Sequence, residues 1–183
     1  NSVSALMNQE LADALDAARD DAAVRVILLT GAGRGFCAGQ DLSERKRGPG
    51  DPPFDLAINL EKWWGPLILR LQRCPKPIVA AVNGVAAGAG ANIALACDIR
   101  VATERSRIGI TPAKLGLVYP LHDIKLLVDL VGPGQAKKML YTGELLSAEE
   151  ALRVGLIEAI DESSAALARQ RRVRAGRSAS LRR

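Results

Sequence analysis

The stretch IVAAVNGVAAGAGANIALACD, residues 78–98, decides the fold of this chain. Residues 78–82 are all apolar, as in a strand that is buried on both faces, and CPKP before them favours an extended entry. Glycines follow at once, after which 91–97 fits a helix and 98–103 alternates like a further strand. Strand, helix and strand in this order predict parallel βαβ units with right-handed crossovers, and hence an α/β fold.

Further helices and strands are predicted on both sides of this stretch. Apolar residues at three- and four-residue spacing predict helices over about 4–20, 54–73, 124–131, 135–141 and 147–154, with GPGQ as a break before the fourth. Strands are predicted at 24–30 and 156–160. The helix start at Ser147 is the best-defined boundary, because Glu150 follows three residues later in the pattern of a capping box.

Length and composition fit one domain. The chain has 183 residues, of which 48% are hydrophobic and 25% charged. No apolar run approaches the roughly 20 residues of a membrane span, and the first residues lack the basic and apolar regions of a signal peptide. We therefore expect a cytoplasmic protein with no membrane partner. The three cysteines lack metal-type spacing and are expected to be reduced and mostly buried.

The net charge of +5 originates at the C-terminal end. Residues 163–183 contain seven arginines and no acid, whereas residues 1–162 hold the other 18 basic residues and all 20 acidic ones. Such a tail is usually solvated, disordered or a peripheral helix, and an anion-binding arm is the alternative. Aromatic residues make up 3% of the chain and do not interleave with the basic ones, so no nucleic-acid partner is expected.

Two loops rich in glycine and alanine each follow a predicted strand. They are TGAGRGFCAGQDL, residues 30–42, and NGVAAGAGA, residues 83–91. Small residues let a ligand approach the main chain, and a helix start near Gly88 leaves N–H groups that point outward. Together the loops predict an anion or oxyanion site. Neither has the spacing of a dinucleotide or P-loop motif, and without a His/Cys cluster no metal site is expected.

Four blocks of sequence resemble consecutive motifs of the enoyl-CoA hydratase/isomerase (crotonase) family. They are VRVILLTGAGRGFCAGQDL, PKPIVAAVNGVAAGAGANIALACDIRVAT, KLGLVYP and LLSAEEALRVGLIEAI, in the order and at the separations of the family. The block NGVAAGAGANIALACDI is most similar to ring-acting isomerases of phenylacetate-type degradation. The resemblance implies a crotonase-like spiral of ββα units with C-terminal helices, assembled as a homotrimer or hexamer.

The resemblance also implies a domain division. Residues 1–162 are expected to form a crotonase-like acyl-CoA-binding domain, followed by an atypical Arg-rich tail over 163–183. Chains of the family normally have a strand or two before the position of Asn1 and several helical turns beyond Ile160. We therefore expect a domain that is shortened at its N terminus.

The family's substrate-binding residues can be carried onto this chain. The resemblance places the oxyanion hole on the backbone N–H groups of Gln40 and Ala89, and Asp41 is expected to shape the turn between them and the following helix. Coenzyme A is expected as part of the substrate, with no separate cofactor. The residues implied in binding it are Ala38, Gln40, Asp41, Leu42 and Gly88.

The charged, Pro/Gly-rich loop over 43–53 is a candidate lid. Arg45, Lys46 and Arg47 are the cations nearest to the predicted coenzyme A contacts. They either pair with its phosphates or form a solvated loop surface.

The proton-transfer group does not follow the family pattern. Two glutamates of family hydratases correspond to Asn92 and Pro112, and the aspartate of ring-acting isomerases corresponds to Pro120. None of these side chains is a general base. His122 and Asp123 are the nearest replacements, although neighbouring residues on a helix point in different directions and Asp123 equally fits a favourable charge at a helix N-terminus.

Tyr119 and Glu144 are weaker candidates, the first as a pocket wall and the second as a turn residue. The leading hypothesis is an enzyme that acts on an acyl-CoA thioester, by hydration of a 2-enoyl-CoA or by double-bond isomerisation. The missing glutamates motivate an alternative, a non-catalytic acyl-CoA-binding or assembly subunit. A third interpretation is a nucleic-acid-binding module that uses the Arg-rich tail.

Overall fold

The computed structural model describes residues 1–45, 48, 50, 55–161 and 179–182. The strands in these ranges are β1 (Ile27–Thr30), β2 (Ile78–Val82), β3 (Val85–Ala87), β4 (Ile99–Ala102), β5 (Arg107–Gly109), β6 (Leu146–Ser147), β7 (Ala159–Ile160) and β8 (Ala179–Arg182). Within the described part, one parallel sheet has the order β7-β4-β2-β1-β8. A smaller sheet has the order β3-β5-β6, in which β3 and β5 are parallel and β6 is antiparallel.

Helices pack around these sheets. They are α1 (Ala5–Asp20), α2 (Leu56–Asn59), α3 (Gly65–Gln72), α4 (Ala89–Leu95), α5 (Leu121–Thr142) and α6 (Ala148–Arg153). A π-helical turn over Leu60–Trp64 connects α2 with α3, and short 3-10 turns cover Leu42–Arg45 and Pro112–Leu115. The predicted α/β class is confirmed. Among the described residues, no helix is long and apolar enough to cross a membrane.

Strand β2 is the centre of the larger sheet. All five of its residues are buried, and it pairs in parallel with β1 on one side and β4 on the other. A continuous apolar run is the pattern expected for a strand covered on both faces. Because β1 and β2 run in the same direction, the loops that follow them leave the sheet at the same edge. This arrangement brings the two glycine-rich loops together.

Those two loops pack backbone against backbone. Cys37 N–H donates to the carbonyl of Val85, and Ala87 N–H donates to the carbonyl of Cys37, both at 3.0 Å. A Cβ on Gly90 would lie 2.1 Å from the Cys37 carbonyl oxygen, and a Cβ on Gly84 would lie 2.0 Å from the carbonyl oxygen of Arg34. The glycines are therefore required by a close approach of two main chains.

Several predicted boundaries differ from the observed ones. The strand predicted over 24–30 begins only at Ile27, because its partner β2 begins at Ile78. The helix predicted over 54–73 is divided by the π turn, and the strands β3 and β5, three residues each, were not predicted. The predicted break at GPGQ is a kink inside α5, where Gly132 has φ 73° and ψ 165°.

Other local predictions are confirmed. Ser147 caps α6: its Oγ accepts from the N–H of Glu150 at 3.2 Å, and the Glu150 carboxylate accepts from Ser147 N–H at 2.9 Å. The three cysteines are free thiols, with Cys37 and Cys97 buried and Cys74 half-buried.

Parts of two predicted features lie outside the described residues. These are Lys46, Arg47 and most of the predicted lid, and residues 163–178 and 183 of the Arg-rich tail. Residues 179–182 of that tail form β8, parallel to β1 at the edge of the larger sheet, where the sequence predicted no strand.

Candidate active site

A cleft of about 190 Å³ opens between the two glycine-rich loops, the π turn and the start of α5. Six of the predicted site residues line it, namely Ala38, Gln40, Leu42, Gly88, Ala89 and Asp123. The walls also include Leu60, Trp64, Leu117 and Tyr119, so the cleft is largely apolar with few polar groups. Such a composition is typical of a small-molecule site.

The backbones of Gln40 and Ala89 lie beside one another. Ala89 is the first residue of α4, and the N–H of a first helical residue has no acceptor within its own helix. A Cβ on Gly39, the residue before Gln40, would lie 3.8 Å from the Ala89 nitrogen. Val3 fixes this loop from the other side, because its N–H donates to the Gly39 carbonyl at 2.8 Å. Two main-chain segments thus meet at the floor of the cleft.

Asp41 lies in the turn behind that floor. Its carboxylate accepts from the N–H and hydroxyl of Ser43 at 2.9 and 2.7 Å, and from the hydroxyl of Ser2 at 3.0 Å. The hydrogen bonds from Ser43 lower the pKa of this carboxyl. The arrangement agrees with a role in shaping the turn.

Asp123 is a carboxyl group buried beside the cleft. Its side chain is 0% exposed, and Trp64 Nε1 donates to its Oδ2 at 3.1 Å. His122 Nε2 lies 2.6 Å from its Oδ1, although the angles are not those of a well-directed hydrogen bond. The expectation that His122 and Asp123 point apart is therefore wrong. Both residues lie in the first turn of α5, where side chains lean back toward the helix start and the ring can reach its neighbour.

The surroundings of Asp123 act on its pKa in opposite directions. Burial raises the pKa above 3.8, because the charged form loses its hydration. The hydrogen bond from Trp64, the charge of His122 and the nearby amide of Asn92 lower it. Burial is the largest of these effects. A carboxyl with a raised pKa in a cleft is a candidate for proton transfer near neutral pH.

Asn92 and Tyr119 complete the environment of Asp123. Asn92 is fully buried, and neither atom of its amide makes a well-directed hydrogen bond, although the group lies near enough to Asp123 to affect its pKa. The Tyr119 hydroxyl donates to the Gly88 carbonyl at 3.1 Å. Burial, and then the charge of Asp123, raise the tyrosine pKa well above 10, so the hydroxyl keeps its proton.

The remaining sequence candidates lie in different places. Pro112 and Pro120 line the cleft, whereas Glu144 is exposed and lies outside its lining. In the part of the chain that the structure describes, no cluster of His, Cys, Asp and Glu could hold a metal ion.

Trp64 is one of the cleft residues that the sequence did not identify. It is 5% exposed, whereas its neighbour Trp63 is 40% exposed. Two adjacent tryptophans in a chain with 3% aromatic residues were a usable signal. Helical periodicity could not decide which ring points inward, because the π turn shifts the register at this position.

The sequence of this chain is similar to a known family of enzymes. A family model described as enoyl-CoA hydratase/isomerase matches residues 1–180. The chain is 42% identical over 167 residues to 1,2-epoxyphenylacetyl-CoA isomerase of Escherichia coli (strain K12), covering 91% of this chain and 64% of that protein. It is 39% identical over 166 residues to (E)-benzylidenesuccinyl-CoA hydratase of Thauera aromatica, covering 90% of this chain and 63% of that protein.

A solved structure has the same fold. The crystal structure of an enoyl-CoA hydratase from Bacillus anthracis superposes with a TM-score of 0.83 and 34% sequence identity, covering 95% of this chain and 66% of that one. This chain therefore spans slightly less than two thirds of the length of each of these three proteins.

Proposed function

Because this chain belongs to the enoyl-CoA hydratase/isomerase family, we propose that it is an enzyme that converts acyl-CoA thioesters through an enolate. The reaction is the hydration of a 2-enoyl-CoA or the migration of a double bond. One observation carries this proposal: Asp123, whose carboxyl is buried, lines the same cleft as Gln40 and Ala89. Proton transfer and stabilisation of negative charge can therefore act on one bound molecule.

The oxyanion donors are the backbone N–H groups of Gln40 and Ala89. They hydrogen-bond the thioester carbonyl oxygen, on which negative charge develops as the enolate forms. Because the loops are fixed by main-chain contacts, the donors need no rearrangement during the reaction. One such donor contributes on the order of 3 kcal/mol to the stabilisation of a transition state.

Asp123 is the proton-transfer group. In an isomerisation, its carboxylate takes a proton from the α-carbon of a 3-enoyl thioester, and the acid so formed returns a proton to the γ-carbon. In a hydration, the carboxylate takes a proton from water as the water oxygen bonds to C3, and a proton is then delivered to C2. Either sequence begins with ionised Asp123 and restores it at the end.

The coenzyme A portion is proposed to lie along Ala38, Gln40, Leu42 and Gly88, which line the cleft. The homotrimer or hexamer, the cytoplasmic location and the pairing of phosphates with Arg45, Lys46 and Arg47 remain predictions. The non-catalytic alternative was motivated by missing carboxylates. The presence of Asp123 in the cleft lining supports an enzyme over this alternative.

The proposal is tested with two substrates and one ligand titration. Crotonyl-CoA is followed by loss of its enoyl-thioester absorbance, and 3-butenoyl-CoA by gain of the same absorbance, while calorimetry measures binding of butyryl-CoA. Turnover of either substrate that Asp123→Asn abolishes is the expected result. Binding without turnover of both substrates would favour the non-catalytic subunit, and turnover that survives in Asp123→Asn would exclude Asp123 as the base.

A further inference from the structure

The carboxyl of Asp123 is enclosed by other side chains. It is 0% exposed, with the indole of Trp64 on one oxygen and the amide of Asn92 nearby. Asp123 forms part of the cleft wall, so a substrate in the cleft would separate it from solvent on that side. Exchange of a proton between this carboxyl and water then depends on the neighbouring side chains.

Most of the described neighbours cannot carry a proton. An indole N–H is a donor only, and an amide neither gains nor loses protons near neutral pH. The Tyr119 hydroxyl donates to the Gly88 carbonyl, and burial keeps it protonated. Among the described side chains that contact Asp123, the imidazole of His122 is the group in which one nitrogen can accept a proton while the other donates one.

The position of His122 connects the carboxyl with solvent. Its Nε2 lies 2.6 Å from Oδ1 of Asp123, while its side chain is 44% exposed. His122 lies outside the cleft lining, so a substrate that covers Asp123 leaves the ring accessible to water. We propose that His122 is the relay through which a proton held on Asp123 exchanges with solvent while the cleft is occupied.

This relay rests on the proposed function, because it needs Asp123 to hold a substrate proton. When Asp123 has taken a proton from the α-carbon, two fates are open to it. The proton returns to the substrate, or it passes from Oδ1 to Nε2 of His122 and from the imidazolium to water. The reverse transfers bring a solvent proton back to the carboxylate, so that no proton is gained or lost overall. The presence of His122 therefore sets how much solvent hydrogen enters the product.

Deuterium incorporation measures the fraction of product molecules that receive a hydrogen from solvent. The full chain converts 3-butenoyl-CoA in D2O, and mass spectrometry gives the deuterium content of the crotonyl-CoA formed. A parallel sample contains butyryl-CoA, whose α-hydrogens report enolate formation without net conversion. The test variant is His122→Gln, whose amide can still hydrogen-bond Asp123 but cannot relay a proton. Lys125→Gln is the matched control, because Lys125 lies on the same helix with a side chain 70% exposed.

We expect deuterium per turnover to fall at least about tenfold in His122→Gln, whatever the change in the rate at which 3-butenoyl-CoA is converted, because loss of the His122 charge also acts on the ionisation of Asp123. Lys125→Gln should match the wild-type protein in both. His122→Phe, which keeps a ring and removes both nitrogens, should show the same loss of deuterium as His122→Gln. A loss of activity through a general structural effect would lower conversion and leave the deuterium content of the product unchanged.

Two results would overturn the relay alone. One is equal deuterium content in wild-type and His122→Gln products, and the other is a wild-type product that contains no deuterium. A different result would overturn the proposed function as well: wild-type protein that binds butyryl-CoA but neither exchanges its α-hydrogens, nor converts 3-butenoyl-CoA, nor hydrates crotonyl-CoA. The two failures are thus distinguished by whether the wild-type protein forms the enolate.

Discussion

Trp64 Nε1 donates a hydrogen bond of 3.1 Å to Oδ2 of Asp123, a residue 59 positions later in the chain. The bond joins the π turn before α3 to the first turn of α5, and both side chains are buried. A hydrogen bond to a carboxylate stabilises its ionised form, which is the form that accepts a proton. The indole therefore opposes the effect of burial on the pKa of Asp123.

Trp64→Phe should shift the pH dependence of activity. The substitution keeps an aromatic ring in the wall and removes the donor that lowers the pKa of Asp123. The pKa then rises, and because Asp123 must be ionised to act as a base, the acidic limb of the kcat/KM profile should move to higher pH. The control is Trp63→Phe, whose side chain is 40% exposed. A profile of Trp64→Phe that coincides with the wild-type profile would remove Trp64 from the pKa control of Asp123.

Asp123→Asn should abolish turnover without preventing binding. Asparagine has a similar shape but cannot take up a proton, so we expect kcat to fall by about 10²- to 10⁴-fold. The dissociation constant of butyryl-CoA, measured by calorimetry, should change little. Asp129→Asn on the same helix is the matched control, since that carboxylate is 57% exposed and pairs with Lys125 at the surface. Equal loss of activity in both variants would mean that α5 tolerates neither change, rather than that Asp123 transfers protons.

The same substitution should change how stability depends on pH. The pKa of Asp123 is raised above 3.8 in the folded protein, so the folded state binds this proton more tightly than the unfolded chain. Stability is therefore lost as pH rises from about 3.8 through the raised pKa. Across this pH window, the free energy of unfolding of Asp123→Asn should increase relative to that of the wild-type protein. At pH values above the raised pKa, the difference between the two proteins should be constant.

Urea unfolding at a series of pH values measures this difference. Subtracting the wild-type curve from that of the variant removes the contributions of the other carboxyl groups. A difference that does not vary with pH would contradict the raised pKa.

Gly90→Ala should destabilise the fold strongly. The new Cβ would lie 2.1 Å from the Cys37 carbonyl oxygen, which belongs to main chain and cannot move aside as a flexible side chain does. Overlaps of this kind lower the free energy of unfolding by about 1–3 kcal/mol or more. The control is Gly134→Ala, where a Cβ would meet nothing within 4 Å and the change should be nearly neutral. Thermal unfolding of both variants gives the comparison, and a Gly90→Ala variant as stable as the wild-type protein would contradict the close approach of the two loops.

The sequence predicted the fold and the parts of the site that depend on local pattern. The crotonase-like fold is confirmed by the similarity to the solved enoyl-CoA hydratase of Bacillus anthracis. The bounds of β2 were predicted to the residue, because a continuous apolar run ends abruptly at Asn83. The helix start expected near Gly88 lies one residue before the observed start of α4 at Ala89, whereas the helical pattern was recognised only from 91, since Gly90 disfavours a helix but is required there by the contact with Cys37.

Contacts between elements that are distant in sequence could not be predicted from local sequence patterns. Nothing near Asp123 in the sequence indicates that Trp64 would reach it, because the bond depends on how the π turn packs against α5. The contact between His122 and Asp123 was missed for a different reason. Helical spacing describes the directions of Cβ atoms, and the flexible imidazole reaches beyond the direction that its Cβ sets.

The main-chain packing of the two glycine-rich loops has an evolutionary consequence. The proposed oxyanion donors are peptide units, which most substitutions cannot remove, whereas Asp123, His122 and Trp64 are side chains carried by other elements. Single mutations can therefore replace the proton-handling groups one at a time while recognition of the thioester persists. A lineage built on this scaffold can change its reaction without first losing its substrate.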